Sequence, residues 1–176
     1  MRYTAKQIEN LLHAIEDGRV TTYNLPEDLY KAITDHLKKG VFKGYGITLD
    51  AATGQDRELL TNLTENVYMF GAAKTYQQTK AISAELVDEN GKVRTSAEFQ
   101  RIGRKMFEEW NDNWGKAEYN TAIGQAQMVS KWAEIDRQKD IMPNLTYEAI
   151  GDACAICRPL DGITAPVGSA IWNKIS

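Results

Sequence analysis

Cys154-Ala155-Ile156-Cys157 is the sharpest chemical feature of the chain. Two thiolates at this spacing supply two of the four tetrahedral ligands that zinc takes. The same spacing at a helix N-terminus within a βαβ unit would serve thiol–disulfide exchange. The chain completes neither arrangement. It has no third cysteine, His13 and His36 lie far upstream on helical segments, and the pattern before the motif is helical rather than βαβ. Cys154 and Cys157 therefore read as a metal half-site at most, and most simply as two thiols packed at a turn. A second candidate is Lys74-Thr75-Tyr76-Gln77-Gln78-Thr79-Lys80, where a polar run interrupts an apolar helical stripe. Lys74, Gln77, Gln78 and Lys80 carry groups that can bond a partner, the plain alternative being a solvated helix arm. Among the carboxylates that could act as acid or base, Asp152 reads as a turn cap and Asp161 as part of an Asp-Gly turn, which leaves Glu118 alone. No nucleophile–base pair, Gly-rich phosphate loop or HExxH helix occurs, so the chain does not read as an enzyme.

The elements that must carry these residues are mostly helices. Thr4 and Gln7 fit a capping box ahead of the stripe Ile8, Leu11, Leu12 and Ile15, with Gly18 placed to stop the helix. Asn24 and Pro26 open a second helix lined by Leu29, Ile33 and Leu37, which Gly40 ends. The pattern predicts that these two helices form an antiparallel pair, followed by a loop of about 15 residues up to Gln55. A long third helix starts near Asp56, presents Leu59, Leu63, Val67 and Phe70, and meets no proline before the turn Asp88-Glu89-Asn90-Gly91. Thr95 and Glu98 form a second capping box for a fourth helix. Asn111-Asp112-Asn113 and Gly115 are candidates to break or kink it. Between residues 117 and 138 it carries Tyr119, Ala122, Ile123, Ala126, Val129 and Ala133 on one side and Met128, Trp132 and Ile135 on the other. Such a helix, apolar on two faces, is expected at the centre of a domain. After Pro143, alternation at Leu145, Tyr147 and Ala149 reads as a strand, and Ile163-Thr164 can pair back on it across the Pro159-Leu160-Asp161-Gly162 turn. The fold class is thus mainly α, with a long helix, a central two-faced helix and a small C-terminal β-hairpin.

Composition narrows the function classes. Hydrophobic residues make up 43% of the 176 positions and charged residues 26%, a globular balance. With 21 basic against 24 acidic side chains the net charge is −3, which disfavours a protein that coats phosphates. For the same reason Phe99, Phe107, Trp110, Trp114 and Trp132, at helical spacing, read as core rather than base-stacking platforms. No apolar run reaches membrane-spanning length and the first residues lack a signal-peptide pattern, so the expectation is a soluble, intracellular chain with no membrane partner.

Several short motifs follow one another from the third helix onward. They begin with Phe70-Gly71-Ala72-Ala73-Lys74-Thr75 and its glutamines, Asn113-Trp114, Glu118-Tyr119-Asn120-Thr121-Ala122, Ala126-Gln127 and Trp132. Pro143-Asn144-Leu145-Thr146-Tyr147, Asp152, the CxxC, Leu160-Asp161-Gly162, Pro166 and Trp172 complete the series. In order and spacing this series resembles the phage Mu F-like minor head proteins, the phage head morphogenesis family. The resemblance runs from about residue 56 to the end, and the first 55 residues match loosely. It implies two parts: residues 1–55, a helical pair and loop, and residues 56–176, a Mu F-like domain with helices over 56–140 and a β unit over 144–176. It further implies a minor virion component, made in the host cytoplasm, that associates with the portal protein and with capsid or scaffold proteins during head assembly and DNA packaging. Contact with packaged DNA belongs to the same implication. The family pattern continues past the tryptophan with a Pro-Pro segment and a Cys-Arg-Cys run, whereas this sequence reaches Ser176 first. No cofactor is expected, and zinc only where residues outside this sequence complete the cysteine pair. A DNA-binding virion accessory module and a CxxC redox or metal-binding domain are the competing readings.

Overall fold

The computed structural model describes residues 3–175, apart from the side chains of residues 112–114 and 175. The chain is mainly helical, with α1 (Ala5–Glu16), α2 (Glu27–Tyr45), α3 (Gly54–Ala84), α4 (Ser96–Gln138) and the short α5 (Trp172–Ile175). Strands β1 (Asn144–Thr146) and β2 (Thr164–Pro166) form one antiparallel pair. Two compact units divide the chain at Met128/Val129, a point inside α4. The first 55 residues are not a unit of their own, because their helices pack on α3 and α4.

In the first unit both capping boxes form. The Thr4 hydroxyl accepts from the Gln7 N–H while the Gln7 side chain accepts from the Thr4 N–H. Thr95 and Glu98 make the same reciprocal pair ahead of α4. Helix α1 buries Ile8, Leu11, Leu12 and Ile15, as its stripe dictates. Its partner is α4 rather than α2. Tyr3 stacks on Phe107 at 5.8 Å between ring centroids, and Gln100 donates to Glu16 at 2.8 Å. Leu12 packs against Gly103, where a Cβ would come within 2.3 Å of the leucine.

The largest departure from the sequence pattern lies in α2. The helix passes through Gly40 and Gly44 and ends at Gly46, whose φ of 97° provides the left-handed cap. The expected 15-residue loop shrinks to Gly46–Thr53 in consequence. Gly40 and Gly44 are instead contact points for α4. A Cβ at Gly40 would lie 3.1 Å from the Tyr119 ring, and one at Gly44 would lie 2.3 Å from the Ile123 carbonyl oxygen. Two glycines one turn apart let the backbones approach, which outweighs the roughly 1 kcal/mol that each costs a helix interior.

Helix α3 lies along α2 but is rotated from the expected orientation by roughly a quarter turn. It buries Leu60, Thr64, Val67, Gly71, Thr75, Gln78, Thr79 and Ile82, leaving Leu59 and Leu63 half-buried and Phe70 exposed. The threonines tolerate this because Thr64 donates to the Leu60 carbonyl and Thr75 to the Gly71 carbonyl, each at 2.7 Å. Between α3 and α4 the turn is tight. Val87 bridges to Val93, and the Asp88 carboxylate accepts from the N–H groups of Asn90 and Lys92, both at 2.9 Å. Helix α4 is unbroken through residues 111–115. The side chains of Asp112, Asn113 and Trp114, named in the kink, the aromatic series and the family motifs, lie outside the described residues. Of its two expected apolar faces, Ala122, Ala126 and Ala133 are buried, whereas Met128 is exposed and Trp132 and Ile135 are half-buried. The second face is therefore only partly covered.

In the second unit the hairpin forms where the alternation places it. Asn144 pairs with Pro166, Leu145 with Ala165 and Thr146 with Thr164, and the ladder extends through Tyr147 and Ile163. The threonine hydroxyls bond each other at 2.8 Å across the pair. Trp172 folds back onto this hairpin: its indole N–H donates to the Pro166 carbonyl at 2.7 Å, and the ring is buried.

Candidate functional site

The CxxC occupies the connection between β1 and β2, on a backbone that turns twice on itself. The Cys154 carbonyl accepts from the N–H groups of Cys157 (3.1 Å) and Arg158 (3.0 Å), and a 3-10 turn over Arg158–Leu160 follows. Gly162 takes a φ of 78°, and the Asp161 carboxylate accepts from the Ala149 N–H at 2.9 Å, tying the far end of the loop to the strand side. Asp161 is thus a turn residue, as its sequence context indicates. The loop presents the two sulfurs together, 3.5 Å apart, with Cys154 exposed and Cys157 half-buried.

The sulfur atoms differ in character. Hydrogen bonding from the Cys157 backbone and thiol, and from the Ile156 backbone, holds the Cys154 thiol below the ordinary cysteine range. Tyr147 is pushed up, chiefly by its hydrogen bond with Cys157 and then by desolvation. The lowered pKa raises the thiolate fraction of Cys154 near neutral pH, and with it the reactivity of that sulfur. For metal, the 3.5 Å sulfur separation is close to the roughly 3.8 Å between two thiolates on one tetrahedral zinc with bonds near 2.3 Å. Among the described residues no cluster of three or more His, Cys, Asp or Glu groups occurs, so the pair fills two positions of four.

The Lys74–Lys80 segment belongs to the first unit and divides between inside and outside. Lys74, only 8% exposed, forms an ion pair with Glu118 of α4. Gln78 is buried, and its side-chain oxygen lacks a hydrogen-bond partner among the described residues. Gln77 and Lys80 alone of the four face outward. The reading of all four as a partner-facing surface is therefore corrected for Lys74, which its pair with Glu118 draws inward, and for the buried Gln78. The Glu118 carboxylate becomes the counter-ion of that lysine. No sequence signal marks this pairing, since the two residues lie 44 positions apart.

One further feature, a groove, has no signature in the sequence. Leu63, Val67 and Phe70 line an open groove of about 440 Å³ with Leu37, Val41 and Ala122, and the polar Asn66, Thr121 and Gln125 share its lining. Among the described residues no helix is long and apolar enough to cross a membrane. Compared with protein-family models, characterised proteins and solved structures, the chain matches none of them.

Proposed function

We propose that this chain is a minor head protein of a phage or prophage, acting with the portal and the procapsid interior during head assembly and DNA packaging. One observation carries the reading. The motifs that resemble the head morphogenesis family fall into a consistent local plan, with the CxxC and Leu160-Asp161-Gly162 both in the single connection of a two-stranded hairpin that Trp172 closes. Long helices and exposed apolar side chains such as Ile141 and Met69 suit assembly with other chains. The role is non-enzymatic, and the partners are portal, capsid and scaffold proteins. Deleting the gene from the phage or prophage that encodes it should give heads reduced in number or in infectivity, restored by expression in trans. Normal yields of fully infectious particles from the deletion would refute the proposal.

The geometry of Cys154 and Cys157 favours one alternative, a dithiol module. In that reading the pair passes two electrons to an external disulfide, forming an intramolecular disulfide and releasing two thiols. Rapid reduction of a small aromatic disulfide by the reduced protein, lost in Cys154→Ser, would favour it over the assembly role.

A further inference from the structure

The face of α3 opposite its buried side is unlike an ordinary solvated face. Met69 is 71% exposed and Tyr76 is 37% exposed, and Ala72 and Ala73 between them are exposed as well. These four positions recur at the spacing of one helical stripe. The stripe carries no charge across its middle, and charge returns on the same side only at its two ends: Glu65 before it and Lys80 after it, both exposed. Neither takes part in an ion pair or hydrogen bond within the chain among the described residues. The arrangement is symmetric about the point between Ala72 and Ala73. Met69 and Tyr76 are equidistant from that point, and so are Glu65 and Lys80.

That symmetry determines what fits the stripe. When two copies of a helix cross antiparallel at a two-fold axis, residues equally far before and after the axis meet each other. With the axis at Ala72/Ala73, Ala72 meets Ala73 of the second copy and lets the backbones approach. Met69 lies against Tyr76, a thioether–aromatic contact. At both ends Glu65 of one copy faces Lys80 of the other, so the opposite-charge pair forms twice in the dimer. We infer that the outer face of α3 is a self-association surface, on which a second copy of this chain docks antiparallel about Ala72 and Ala73.

A single helix crossing buries less than the roughly 1,000 Å² of a long-lived interface, so the dimer exchanges rapidly and forms at micromolar concentrations or above. Sedimentation equilibrium of the full chain over about 5 to 500 µM should report reversible passage from 19.8 kDa toward twice that mass. Glu65→Lys and Lys80→Glu each convert both terminal contacts into like-charge pairs, and each should weaken dimerisation about tenfold at low salt. The decisive sample is an equimolar mixture of the two variants. In the mixed dimer every terminal pair is again opposite in sign, so association should return to the unmodified level. Both substitutions lie on exposed helix positions, and an unchanged circular dichroism spectrum confirms that the helix is intact. A chain that stays monomeric throughout the range overturns the inference. A dimer indifferent to both substitutions, or one that the mixture does not restore, overturns it equally.

Discussion

At the scale of single residues, the loop between the two strands makes two like thiols unequal. Hydrogen bonding with Cys157, and then with the Ile156 backbone, lowers the pKa of Cys154. Iodoacetamide near neutral pH should therefore modify Cys154 faster than Cys157, as peptide mass spectrometry would read, and Cys157→Ser should slow the modification of Cys154. Equal rates would mean that the loop does not hold this hydrogen-bonded form. Lys74 allows a second test. Lys74→Ala leaves Glu118 without its counter-ion in a partly buried setting and should cost about 3 kcal/mol in urea unfolding. Gln77→Ala, on the exposed side, should cost under about 0.5 kcal/mol. His36 provides the pH dependence. Burial holds its imidazole below the ordinary histidine range, against the pull of the Gly115 carbonyl that bonds Nε2 at 3.3 Å. Lys39 adds to the depression and Glu118 opposes it. A depressed base binds its proton more readily when the chain is unfolded. Its stabilising effect is therefore complete above about pH 6.5 and is lost as the pH falls through the lower folded value. Melting temperatures taken from pH 7.5 down to 5.5 should decline, and His36→Gln should flatten the decline.

Whole elements were legible in the sequence where their determinants are local. Thr4 with Gln7 and Thr95 with Glu98 need only three residues to announce a helix start, and both boxes form. The hairpin was equally plain, because alternation and an Asp-Gly turn lie within one short stretch. That helix α2 continues through Gly40 and Gly44 is not legible in the sequence, for a physical reason. A glycine inside a helical pattern either ends the helix or admits a neighbour, and the neighbour here, Tyr119 and Ile123, is some 80 residues away. The quarter-turn error in α3 has the same origin. A threonine that satisfies its hydroxyl on the preceding turn can be buried, and nothing in its immediate sequence says which neighbour will cover it. The candidate site divides along the same line, for the cysteine pair was visible and the Lys74–Glu118 pair was not. Gly44→Ala tests the close approach at this scale. Helix propensity favours the alanine by about 1 kcal/mol, but the added methyl meets the Ile123 backbone. A net loss of about 1–3 kcal/mol is expected in thermal or urea unfolding. A gain in stability would show that α2 and α4 are not held this closely.

At the scale of the whole molecule, the two compact units carry different features. Residues up to Met128 make a helical body held by glycine-mediated contacts and a buried ion pair. Residues from Val129 onward carry the hairpin, the thiols and Trp172. The assembly role proposed for the chain is tested most directly by quantitative mass spectrometry of purified, DNA-filled heads from the phage or prophage that encodes it. This chain should be present in every preparation at a few copies per particle, far below the major capsid protein. Heads that are complete and infectious with no trace of the chain would contradict it.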